Sequence, residues 1–181
     1  IQNLPPPPCK EGVHLLYPAG GKEWTARPMT EKGAGEVRLG KLPNGKRFIT
    51  SIEPMHGNEV VINPEEKAGM WSKNRVVIDD GLKQGHALVT GDFLGLGYDQ
   101  VVAGWRQQAG DGKKVGIRFY APTDKEGTQW KLHAVIDDNE MACEDMKAAD
   151  LDGDGDLDLV AAGRATKNVI IYWNQSSPES K

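Results

Sequence analysis

Five aspartates stand at alternate positions in one short stretch, Asp150, Asp152, Asp154, Asp156 and Asp158 of DLDGDGDLDLV. Like charges crowded into one turn repel unless a cation lies among them, and oxygen donors at this spacing suit a hard ion such as Ca2+ better than zinc or copper. Gly155 supplies the backbone angle at which the turn folds back, so that Asp150, Asp152 and Asp154 converge on one ion. The carbonyl of Asp156 adds a ligand, and Asp158, returning on the next strand, closes the shell. An EF-hand is excluded, because it needs a Glu where this chain has Ala161 and a helix where it has LVAAGRATKNVIIYWN. The plain alternative is a solvated acidic turn, and even a bound ion would staple the hairpin rather than catalyse.

A second group of chemistry-bearing residues emerges from internal repetition. GDFLGLGYDQVVAGWR (91 to 106) and ADLDGDGDLDLVAAGR (149 to 164) superpose without a gap at an offset of 58, Asp92 on Asp150 and Arg106 on Arg164. LGKLPNGKRFITSIE (39 to 53) is a more diverged copy, with Asn44 and Gly45 at the turn. At the same offset His86 falls on Glu144, and Glu53 takes the place of the arginines in the first copy. His56 lies in a neighbouring turn. In the middle copy Leu94, Leu96 and Gln100 replace the ion's ligands, so that turn is expected to hold no metal.

The elements that must position these residues are short strands. Between the copies, VHLLYPAGGKEWTARPM, VVINPEEKAGMWSKNRVVIDD and IRFYAPTDKEGTQWKLHAVIDD each give a β-rich run, a polar turn, then Trp24, Trp71 or Trp130 opening a second run. No apolar period of helical spacing runs long enough for a helix, so each unit of about 50 residues reads as four strands joined by hairpins. Four-stranded sheets repeated at this period predict an all-β fold, the antiparallel blades of a β-propeller. The expected division is a Pro-rich linker or strap over 1–12, a half blade over 13–30, blades over 36–79 and 86–137, a partial blade over 146–173, and a tail over 174–181. About three blades are present where closed propellers carry about four to eight. The remaining blades are therefore expected from a longer chain, of which this is a fragment, or from another copy.

In an up-and-down blade the acidic turn faces one side of the disc, and the links between blades face the other. That other side collects His86 and Glu144 at the mouth of a central funnel, with His56, Arg106, Arg164 and Glu53 nearby. Such a group offers a general base and a cation for a developing enolate, or ligands for a second metal. Repeat positions also recur for purely structural reasons, as when Arg pairs with a neighbouring carboxylate. Trp24, Trp71 and Trp130 are read as blade-packing aromatics opening strand four. Trp105 is a candidate sugar-stacking platform beside the funnel.

DLDGDGDLDLVAAG resembles the FG-GAP or VCBS-type calcium-loop repeat of integrin α-subunit propellers and many secreted propellers. The likeness covers most of residues 36 to 173 and implies Ca2+ at the five aspartates. MHGNEVVI, QGHALVTGD and VVAGWR are more weakly similar to the propeller domain of aldos-2-ulose dehydratase, a carbohydrate lyase, and its bacterial relatives. Composition narrows the rest. Of 181 residues 38% are hydrophobic and 27% charged, with a net charge of −4 drawn largely from the acidic cluster and no basic stripe, which argues against nucleic acid. No apolar run reaches the roughly 20 residues of a membrane span. Cys9 and Cys143 read as two unpaired thiols. Two functions follow: a calcium-stabilised module presenting a loop face to a carbohydrate or protein, or part of a carbohydrate lyase or hydrolase using His86, Glu144 and His56. Where calcium is abundant, in a secreted or periplasmic setting, the acidic turn would be filled.

Overall fold

The computed structural model describes residues 12–20, 23–30, 32–107 and 115–175, which fold into antiparallel sheets of two to five strands with no helix among them. Sheet 1 pairs β1 (His14–Gly20) with β2 (Glu23–Pro28). Sheet 2 runs β3 (Glu36–Lys41), β4 (Arg47–Glu53), β5 (Glu59–Lys67), with β6 (Met70–Trp71) and β7 (Val76–Asp79) both paired to β5. Sheet 3 is the meander β8 (Gly85–Gly91), β9 (Gln100–Trp105), β10 (Gly116–Pro122), β11 (Trp130–Asp138). Sheet 4 is β12 (Cys143–Ala149), β13 (Asp158–Gly163), β14 (Asn168–Tyr172). Residues 1–11, with Cys9 and nearly all of the Pro-rich segment, lie outside the described residues, as do residues 176–181 of the tail.

Burial explains the sequence of each strand. QVVAGW of β9 is buried along its whole length, because sheet 2 covers one face and sheet 4 the other; a strand covered on both faces needs no polar alternation. NVIIY of β14 alternates half-buried and exposed positions, since sheet 3 covers one face only. The first strands stand side by side, β8 against both β3 and β12. One core between sheets 2 and 3 gathers Phe48, Ile52, Ile62, Leu88, Val101 and Tyr120. A second, between sheets 3 and 4, gathers Val102, Ile117, Phe119, Met146 and Leu159. Each fully buried aliphatic side chain contributes about 1.5–3 kcal/mol.

Sheets 3 and 4 approach closely at Gly104, where an added Cβ would lie 2.6 Å from the Cβ and 2.7 Å from the Sγ of Cys143. Cys143 is itself buried, and burial pushes its thiol up to about 12, leaving it unreactive at neutral pH.

Two repeated clasps join neighbouring sheets. The Tyr120 hydroxyl of sheet 3 donates to Asp79 of sheet 2, whose other oxygen accepts the Gly81 amide at 2.6 Å. The Tyr172 hydroxyl of sheet 4 donates to Asp137 of sheet 3 at 2.7 Å, and Asp137 also accepts the amides of Glu140 and Met141. Each aspartate thus fixes both the next sheet and the loop leading to it.

Three tryptophans depart from expectation. Trp24, read as a blade-packing aromatic, is 42% exposed on β2. Trp71 does not open strand four: it ends in the two-residue β6, under the Arg47 guanidinium at 5.2 Å, and the chain turns through Ser72 before β7 rejoins β5. Trp105 is only 5% exposed, facing sheet 2 with Val101 and Ala103, and Arg118 covers its ring at 4.7 Å. Its ring is a core element rather than a sugar platform.

Candidate functional site

Residues from three sheets meet at the end of the first strands where β8 and β12 begin. His86 is the second residue of β8 and Glu144 the second of β12. Because those strands are neighbours, His86 Nδ1 reaches the Glu144 backbone carbonyl at 2.8 Å, and His86 Nε2 lies 3.9 Å from Glu144 Oε1. A carbonyl only accepts, so Nδ1 carries the hydrogen; in the neutral ring the lone pair is on Nε2.

His56 arrives from the β4–β5 turn. The Gly85 amide donates to the Gly57 carbonyl at 2.8 Å, tying that turn to the start of β8. Gly57 admits no side chain, since a Cβ would lie 2.2 Å from the Glu53 carbonyl oxygen. His56, in the left-handed region at φ 53°, then stacks on His86 with centroids 4.8 Å apart and planes inclined at 25°.

The arginines follow β9 and β13. Backbone bonds from Arg106 to Gln84 and from Gln107 to Lys83 pin the first, and its Nη1 donates to Glu144 Oε1 at 2.5 Å. Arg106 Nε is buried with no hydrogen-bond partner among the described residues. Arg164 lies 3.9 Å from Glu144 Oε2 with its side chain 75% exposed. The Arg106 hydrogen bond, aided by the charges of Arg106, His86 and Arg164, holds the Glu144 carboxyl below the usual carboxylate range against partial desolvation. Glu144 is thus an anion clamped by cations.

That clamp is testable by stability. Glu144→Leu strands the mostly buried Arg106 charge and is expected to cost about 2 kcal/mol in urea unfolding, whereas Arg106→Leu/Glu144→Leu should cost clearly less than the two single losses combined. Additive losses would show that the pair is uncoupled.

Glu53 does not join this group. It is fully buried, accepting from Ser51 at 2.7 Å and from Arg75 at 2.7 Å, and Arg75 also bridges to Glu59 at 2.6 Å. Its carboxylate is spent inside sheet 2, out of a ligand's reach.

At the far end of β12 the acidic turn opens. One carboxylate oxygen each from Asp150, Asp152 and Asp158 lies within 4.8 Å of the others; Asp158 is buried and the other two exposed. Asp158 is fixed by the amides of Leu151 and Asn174, and Asp150 by those of Gly153 and Gly155. Gly153 and Gly155, at φ 85° and 96°, make the reversal that brings Asp150 and Asp158 together. Asp154 instead turns its Oδ1 to the Asp156 amide at 2.9 Å, and neither belongs to the converging set.

The equivalent turn of sheet 3 explains how the same bend stands without that charge. Asp92 accepts the amides of Leu96 and Gly97. Gln100, fully buried where sheet 4 has Asp158, accepts the Leu94 amide and donates to the Tyr98 carbonyl at 2.7 Å. Tyr98 corresponds to Asp156 at the offset of 58, so the Gln100 amide meets the carbonyl that a cation would be expected to meet in sheet 4.

Sequence reasoning missed Asp79, Asp137 and their tyrosines, although VVIDD and AVIDD recur 58 positions apart. The repeated Asp was the available signal. No model of a known protein family and no curated protein matches the chain.

Proposed function

We propose that the chain is part of a calcium-stabilised β-propeller of the FG-GAP or VCBS kind, whose loop face binds a carbohydrate or a protein. The observation that carries this reading is the convergence of His56, His86, Arg106, Glu144 and Arg164 from three successive sheets, at the strand ends opposite the acidic turn. A clamped Glu144 is a poor proton acceptor and a good fixed acceptor for hydroxyl or amide hydrogens. The exposed Arg164 and the Nε2 face of His86 are the groups left to meet a ligand, and the Arg164 charge favours an acidic sugar or a carboxylate-bearing side chain.

Calcium fits the other end. Three convergent carboxylates, one buried, form an all-oxygen set to which the Asp156 carbonyl would add a ligand, and the Gln100 amide bonded to the Tyr98 carbonyl suggests where a positive charge would sit. The ion would hold the β12–β13 hairpin, consistent with a secreted or periplasmic setting, and the remaining blades would come from further chain or another copy.

The test is a glycan array including uronic acids, with the wild type against His86→Ala/Arg164→Ala. Binding reduced by at least about tenfold in a folded double variant is expected. Full binding by that variant would remove this face from the reading.

One observation favours a second reading, a carbohydrate lyase. With Nδ1 committed to a carbonyl, neutral His86 holds its lone pair on Nε2 and can take a proton from the carbon beside a carbonyl, with Arg164 facing the enolate. The enolate re-forms the carbonyl by expelling the oxygen substituent of the next carbon; that oxygen leaves as water or an alcohol on taking the proton back from His86, and a C=C bond remains. New ultraviolet absorbance from an unsaturated sugar, lost in His86→Ala, would select that reading over simple binding.

A further inference from the structure

Trp130 fills the fourth-strand side of the interface between sheets 2 and 3. It opens β11 opposite Pro122 of β10, meets Phe48 edge-on at 5.3 Å, and donates its indole N–H to the Gly127 carbonyl. Sheets 3 and 4 meet through matching residues: Met146, Leu159 and Ala161 take the places of Leu88, Val101 and Ala103, each 58 positions on, and Tyr172 takes that of Tyr120. Yet β14 is the edge of its sheet among the described residues, so no fourth strand brings an indole there. In its place is a cleft of about 240 Å³ lined by Phe93, Val102, Phe119, Ala134 and Leu157, with Trp173, just past β14, at its wall. Phe93 and Phe119 present an edge-to-face pair at 5.7 Å.

An indole of the right kind stands exposed on the same chain. Trp24, the second residue of β2, lies opposite Pro18 of β1, as Trp130 lies opposite Pro122 of β10, and in both hairpins a tyrosine shortly precedes the proline. Trp24 is 42% exposed, and β2 is an edge strand among the described residues. An aromatic strand opener without a socket and a socket without its aromatic strand opener are complementary. We propose that copies of the chain associate head to tail, β2 of one copy lying along β14 of the next and placing its Trp24 in the cleft between sheets 3 and 4. Val169 and Ile171 of β14, with Trp173 just beyond it, form an exposed apolar row that makes this an edge prone to such strand addition. The contact joins two different surfaces, so growth leads to rings or short chains rather than a two-fold dimer.

Sedimentation velocity over a wide concentration range tests this, starting from the 19.8 kDa monomer. The wild type is expected to gain mass with concentration, with a blue shift of tryptophan emission. Trp24→Ala, with circular dichroism and melting unchanged because the residue is exposed, should associate at least about tenfold more weakly. N-acetyl-tryptophanamide should dissolve the wild-type assembly and, in Trp24→Ala, shift the resonances of Phe93 and Ala134. A wild type that stays monomeric throughout, a Trp24→Ala variant that associates equally well, or a probe that leaves Phe93 and Ala134 unmoved would each overturn the proposal.

Discussion

Calcium added to chelator-treated protein is expected to raise its melting temperature by about 5–10 °C. The sign follows from linkage: an ion bound by the folded chain alone stabilises by about 2.7 kcal/mol at a concentration a hundred times its dissociation constant, and a domain of this size gains roughly 2–4 °C per kcal/mol. The source of the effect is local. Asp150, Asp152 and Asp158 are held together by backbone amides whether or not a counter-charge is present, and their mutual repulsion opposes the turn until a cation enters. Asp158→Asn should abolish the response. Asp158→Gln imitates Gln100 of the sister turn, and it should both abolish the response and recover part of the stability lost on chelation. The readout is differential scanning calorimetry with and without chelator. An unchanged melting temperature in wild type at millimolar calcium would remove the ion from the proposed function.

Gly104→Val is expected to lower stability by more than about 3 kcal/mol, beyond the usual range for single substitutions. A side chain at 104 points into Cys143, with the first added carbon already 2.6 Å from the Cys143 Cβ. Real Cβ atoms do not approach that closely, so β9 or β12 must move, and the whole face between sheets 3 and 4 repacks with it. Position 104 lies on β9, an inner strand bonded to both β8 and β10, so it cannot shift without disturbing its neighbours. Cys143→Gly in the same chain makes room and should restore much of the loss, which urea titration of the single and double variants would reveal. A Gly104→Val chain that unfolds at the wild-type midpoint would mean that the two sheets are not packed as described.

Much of this was legible in the residues. The offset of 58 that matched Asp92 to Asp150 also matched His86 to Glu144 and Arg106 to Arg164, and strands that occupy equal places in successive sheets bring such pairs to the same end of the fold. Replacement of Asp158 by Gln100 was readable as the loss of a charge, although the amide's second bond to Tyr98 was not. What escaped notice required the third dimension. Trp105 shares a face with Val101 and Ala103 by simple alternation, and that parity, rather than its nearness to a loop, decides its burial. Glu53 occupies the position of the arginines in the repeat, but Arg75 from β7 captures it inside sheet 2. The clasps of Asp79 and Asp137 join strand four of one sheet to strand three of the next, a pairing that no spacing along a single strand encodes.

Those clasps bear on how the molecule comes apart. An array of stacked units ordinarily frays from its ends, shedding one unit while the rest persist. Here Asp137 grips both the Tyr172 hydroxyl and the amides of Glu140 and Met141, so peeling sheet 4 from sheet 3 strips a buried carboxylate of three donors at once. Departure of a terminal unit therefore damages the neighbour it leaves behind, and loss of structure is expected to sweep through the sheets together, with a single transition in place of a staircase.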